Sequence, residues 1–139
     1  EKKSPERSLA ALVVEYDLRL AETANPQRRV DILADLADAL GKESMWLAHA
    51  EGAKELARVT QLYDKVISKG VVVRARALPM EERRDALDPL IQRLQARGKA
   101  AEHPATKAPM PVAEPLRQLA AAARRGSEQL QQLMDEATP

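Results

Sequence analysis

Apolar residues recur at intervals of three and four along most of the chain, the spacing that lines one side of an α-helix. In the first segment Leu9, Leu12, Val13, Tyr16 and Leu20 form the predicted buried stripe, and Glu15 and Arg19 make an i,i+4 pair outside it. Ser4-Pro5-Glu6 supplies a cap, a first-turn proline and a carboxylate at the positive end of the helix dipole. Asn25-Pro26 repeats that start signal, so the first two helices are predicted to form an antiparallel hairpin. The second carries Val30, Leu33, Ala37, Leu40, Ser44 and Leu47, a period that runs on through Gly41. Gly52 is the predicted turn. Beyond it Leu56, Val59, Tyr63 and Val66 point inward, followed by Gly70, Val73 and Ala77 on a helix bent near Gly70. Val71-Val72-Val73 has strand character, but the chain offers it no partner strand.

Pro79 is predicted to begin the next helix, with Glu81 and Glu82 in the first turn and a kink at Pro89. Its core face is Leu87, Leu90, Ile91 and Leu94, and Gly98 reads as its C-terminal cap. Residues 99–111 hold Pro104, Pro109 and Pro111 without an apolar period, which predicts an extended connection. A last helix follows from about Glu114 to Ala137, interrupted at Gly126. Its apolar side is Leu116, Leu119, Ala120, Ala123, Leu130, Leu133 and Met134, to be covered by the bundle or by a partner.

The segments from Arg29 to Leu40 and from Arg83 to Leu94 echo each other. They share Arg29/Arg83, Asp31/Asp85, Leu33/Leu87, Leu36/Leu90 and Leu40/Leu94. The expected fold is therefore all-α: an antiparallel bundle of four to five helices with a weak internal repeat. Residues 1–98 would form the bundle from two related αα units, 99–111 a proline-rich connection, and 112–139 the C-terminal helix.

Composition sharpens this picture. The chain has 139 residues, enough for one domain with a core, and 45% hydrophobic with 31% charged residues is a globular balance. With no Phe, one Trp and two Tyr, the core must be built from Leu and Ala, which favours close helix approach. Lys and Arg number 22 against 21 Asp and Glu, so the basic excess typical of a nucleic-acid binder is missing. The longest apolar run, from Leu9 to Val14, is too short to span a membrane. Without cysteine there is no disulfide, thiolate metal site or cysteine nucleophile. A start at Glu1 and an end at Thr138-Pro139 fit a soluble piece of a longer bacterial protein, an extracytoplasmic one included, with the compartment left open.

Candidate chemistry is sparse. Met45 and His49 sit one helical turn apart and are the weak candidates for a metal, but a thioether and one imidazole fall short of a ligand set. Asp31 and Asp35 share a helix face opposite the apolar stripe, in water, where nothing tunes a carboxylate for acid–base work. No phosphate loop or nucleophile elbow is present, so neither a catalytic residue nor a cofactor is expected. Candidates for contact with a partner are Trp46, the arginine pairs Arg28, Arg29 and Arg83, Arg84, and Leu130 and Met134 on the last helix. The expectation is a non-catalytic protein-interaction or scaffold module whose partner is another protein or another domain of the same chain. An oligomer is compatible with this. A ligand- or metal-sensing domain built around Met45 and His49 is the first alternative, and a small helical enzyme the second.

Overall fold

The computed structural model describes residues 5–50 and 52–137, with backbone alone for 5–10. Ser4 as first cap and Leu9 as a buried residue lie outside what is described. Five helices follow one another: α1 (Pro5–Ala21), α2 (Pro26–His49), α3, α4 (Met80–Ala105) and α5 (Met110–Ala137). Helix α3 is α-helical over Ala53–Lys65, π-helical over Val66–Val71 and α-helical again over Val72–Arg76. No strand occurs among the described residues. The protein is an all-α bundle.

Short connections fold each helix back on its predecessor. Asn25 caps α2, its side chain accepting the Arg28 N–H at 3.0 Å, and Pro26 occupies the first turn. Gly52 leads into α3 and Pro79 into α4. Helix α3 lies between α2 and α5, while α4 and α5 pair along their length in the most extensive helix contact of the fold. Among the described residues helix α1 packs on α2 and makes no other substantial helix contact. The core is the leucine and alanine interior expected: Leu40, Leu56, Leu87, Leu116, Leu119 and Leu130 are fully buried.

Both echoed segments are helical, and Leu33, Leu36, Leu87 and Leu90 are all buried. The likeness stops at the arginines. Arg83 is buried and Arg29 only partly so. Their settings also differ, since the α2 segment packs chiefly on α3 and α4 packs chiefly on α5.

Three expectations from sequence are corrected. The proline-rich connection is only 106–109, because α4 continues past Gly98 to Ala105 and α5 begins at Met110. Gly98 is no cap, and Gly126 is no interruption: each lies within a helix and is buried. Pro104 comes only in the last turn of α4, so the hydrogen bond it removes is followed by no further turn, and Pro109 O accepts the N–H groups of Val112 and Ala113 to start α5. The reason for the longer helix is packing. Gly98, Ala101 and Ala105 are buried, and a Cβ at Gly98 would meet Ala120 O of α5 at 3.6 Å.

The third correction concerns register. In an uninterrupted α-helix Gly70, Val73 and Ala77 would continue the inward stripe. The π-helical stretch, in which the Val72 N–H donates to Ile67 O, adds one residue to a turn. Val71, Val72 and Ala75 therefore turn inward, and Val73 is left 51% exposed. Among these residues Gly70 stacks beside Leu33, with no strand formed.

The two buried glycines lead to opposite expectations. At Gly126 a Cβ would come within 2.5 Å of Ile67 Cγ2, on a β-branched side chain with little freedom to yield. At Gly98 the nearest atoms are at ordinary contact distance, so alanine adds helix propensity of about 1 kcal/mol without a clash. Thermal unfolding should show Gly98→Ala raising Tm and Gly126→Ala lowering it, overpacking costing about 1–3 kcal/mol. Shifts in the same direction for both would contradict this account of the helix contacts.

Candidate functional site

The sequence candidates do not converge on one site. Met45 is half-buried against the core and His49 is exposed in the last turn of α2. Among the described residues no group of three or more His, Cys, Asp or Glu could hold a metal ion. Arg83, expected at a partner surface, is instead buried and donates to Arg76 O, Leu78 O and Leu133 O. Leu130 and Met134, expected on the same terms, are buried in the chain's own core because α5 packs on α4 and α3. Arg28 and Arg84 are exposed, while Arg29 is partly covered with its Nε buried and lacking a hydrogen-bond partner. Trp46 is 42% exposed on α2.

A slot runs between α2 and α4, and sequence reasoning missed it. Arg93 and Arg97, one turn apart on α4, reach across to α2: Arg93 pairs with Asp35 at 3.1 Å and Asp38 at 3.7 Å, and Arg97 with Asp38 at 3.4 Å. The Arg97 side chain lies over Gly41, where a Cβ would stand 2.5 Å from its Nε. Beneath the ion pairs the slot is lined by Ala37, Tyr63, Ile67, Val71 and Leu94. Its empty volume is about 310 Å³ with the mouth included. Burial holds the Tyr63 phenol well above its usual range, outweighing the nearby arginines, so the hydroxyl stays neutral. The arrangement clamps two helices.

A second feature is shallower. Helices α1 and α2 form a groove lined by Arg19, Glu22, Arg28, Asp31 and Asp35. Partial burial and then the neighbouring Asp35 raise the Asp31 pKa, and Arg93 and Arg28 oppose the shift. A carboxyl whose folded pKa is raised destabilises the fold when ionised, and the penalty fades as pH falls through that pKa. Asp31→Asn is therefore expected to raise Tm at neutral pH and to leave it unchanged at about pH 2.5, where the carboxyl is protonated in both states. An equal gain at both pH values would assign the effect to something other than charge.

Among the described residues α1 carries three of the seven exposed large hydrophobics, Val13, Val14 and Leu18. Leu12, Tyr16 and Leu20 rest half-buried on α2, and the Arg19 guanidinium lies 4.8 Å from the Tyr16 ring centre. Arg19 also pairs with Glu15 at 2.6 Å, as the spacing predicts. Val13, expected in the buried stripe, is 39% exposed because it stands at the edge of the contact. On the opposite side Ala11, Val14, Leu18 and Ala21 all face solvent, Val14 and Leu18 being 59% exposed. Their spacing of three, four and three is the seam spacing of a coiled coil. This second stripe was visible in the sequence as another apolar period, overlooked because Leu12, Tyr16 and Leu20 already explained the helix.

No family model, curated protein or solved structure matches the chain. Among the described residues no helix is long and apolar enough to cross a membrane.

Proposed function

We propose that the chain is a non-catalytic helical protein-interaction or scaffold module of a larger bacterial protein, and that α1 carries its binding surface. One observation supports the reading above the others. Helix α1 has apolar stripes on two opposite sides, and only one is covered. A helix apolar on two sides is normally buried between two neighbours. Here α2 supplies one neighbour and a partner would supply the second. Trp46, Arg28 and Arg84 are accessible too, but they are scattered over α2 and α4 and make no comparable strip.

The test is a photo-crosslinking amino acid at Leu18, with the same group at Gln129 on the exposed side of α5 as control. Illumination in the cells the protein comes from should give a discrete protein adduct from position 18 and none from 129. Equal labelling at both positions, or none at 18, would reject α1 as the binding surface.

A further inference from the structure

We infer that the partner seated on α1 is an amphipathic helix whose apolar seam is flanked by lysine or arginine, a reading that rests on α1 being the interaction surface. With Ala11, Val14, Leu18 and Ala21 as seam positions, the flanking positions among the described residues are Glu15 and Glu22 on one side and Asp17 on the other. All three are acidic and exposed. Among the described side chains no cation stands directly beside the seam. Arg19 lies one step further round the helix, tied to Glu15 and stacked on Tyr16. Flanking charges in paired helices choose the partner and its direction.

A second copy of the chain fits this rim poorly. In a parallel pair Asp17 of one copy would face Glu22 of the other, and in an antiparallel pair like acids would again face each other. Such juxtaposition is how helical seams reject wrong partners. A helix with basic flanks meets both requirements at once, covering Val14 and Leu18 and opposing Glu15, Asp17 and Glu22.

The experiment uses the full chain and two labelled synthetic helices of about three heptads with leucine seams, one flanked by lysine and one by glutamate. In fluorescence-anisotropy titrations the lysine-flanked peptide should bind at least about fivefold tighter than the other, less so at high salt. Asp17→Lys combined with Glu22→Lys should reverse the preference. Val14→Ser combined with Leu18→Ser should remove binding of both peptides while leaving the unfolding transition in place. Equal affinity for the two peptides, or a preference that survives the charge swap, would overturn the basic-helix inference. Loss of binding in the serine variant would still then uphold α1 as the surface. Binding unchanged by the serine substitutions, or no binding of either peptide, would overturn the inference, and the crosslinking at Leu18 would decide the surface separately. A dimer in light scattering that disappears in the serine variant would make a second copy the occupant and overturn it as well.

Discussion

A chain ending at Gly98 is expected to lose its cooperative unfolding transition altogether. Helix α5 contributes Leu116, Leu119, Leu130 and Leu133 to the core, all buried, together with Val112, Ala120, Ala123 and Met134. Burying one leucine stabilises a fold by about 1.5–3 kcal/mol. Four of them match the whole stability margin of a small domain, about 5–15 kcal/mol. The loss is doubled in kind, because the faces of α3 and α4 that α5 covers would be opened to water. Far-ultraviolet circular dichroism during urea titration should show a gradual, non-cooperative change, and light scattering should show aggregation. A chain beginning at Asn25 is the contrast. Among the described residues helix α1 adds half-buried Leu12, Tyr16 and Leu20, so its removal should lower the urea midpoint and keep a single transition. A sharp transition in the chain ending at Gly98 would mean that α5 is an appendage, against every contact it makes.

This division between a necessary α5 and a peripheral α1 was only partly legible in the sequence. Local signals were read correctly: the Asn25 cap, the Glu15–Arg19 pair, the turn at Gly52 and the leucine stripes of α2 and α4 all stand as spacing and capping predict. The failures over helix bounds and register share one physical cause. Gly98 and Gly126 look like helix stops because glycine costs about 1 kcal/mol in an isolated helix. In the fold each lies where another helix comes close, Gly98 against the Ala120 carbonyl and Gly126 against Ile67. A distant contact outweighs the local preference, and nothing in the flanking residues announces it. The π-helical turn is of the same kind, since it shifts Val71 and Val72 inward to meet neighbours remote in sequence. The Asp35 and Asp38 pairs with Arg93 and Arg97 also join residues far apart in the chain. By contrast, the exposed stripe of α1 is local. Val14 and Leu18 could have been found by asking whether one helix carried two apolar periods.

Arg83→Met should be the most damaging single substitution of a charged residue in the molecule. The guanidinium is buried, and its three nitrogens reach Leu78 O at 3.3 Å, Arg76 O at 2.9 Å and Leu133 O at 3.1 Å, with Glu136 at 3.2 Å. Arg76 ends α3, and Leu133 lies near the end of α5. Carbonyls of a helix's last turn, here that of Arg76, lack intrahelical partners and carry the negative end of the dipole. One cation on the first turn of α4 thus satisfies the last carbonyl of α3 and the loop carbonyl of Leu78, and adds a further donor to the Leu133 carbonyl of α5. Methionine fills similar space but donates nothing, leaving those acceptors buried or forcing water among them. Each unsatisfied acceptor costs about 1–3 kcal/mol, so a total loss of roughly 3–5 kcal/mol is expected. Lysine should recover only part of this, because its single ammonium cannot reach three diverging carbonyls in the guanidinium's planar arrangement. Glu136 decides between two explanations of the loss. Its side chain is 61% exposed, so Glu136→Gln should cost at most about 1 kcal/mol. Urea midpoints for the three variants provide the comparison. If Glu136→Gln were as harmful as Arg83→Met, the ion pair rather than the carbonyl cluster would be holding α3, α4 and α5 together at this end.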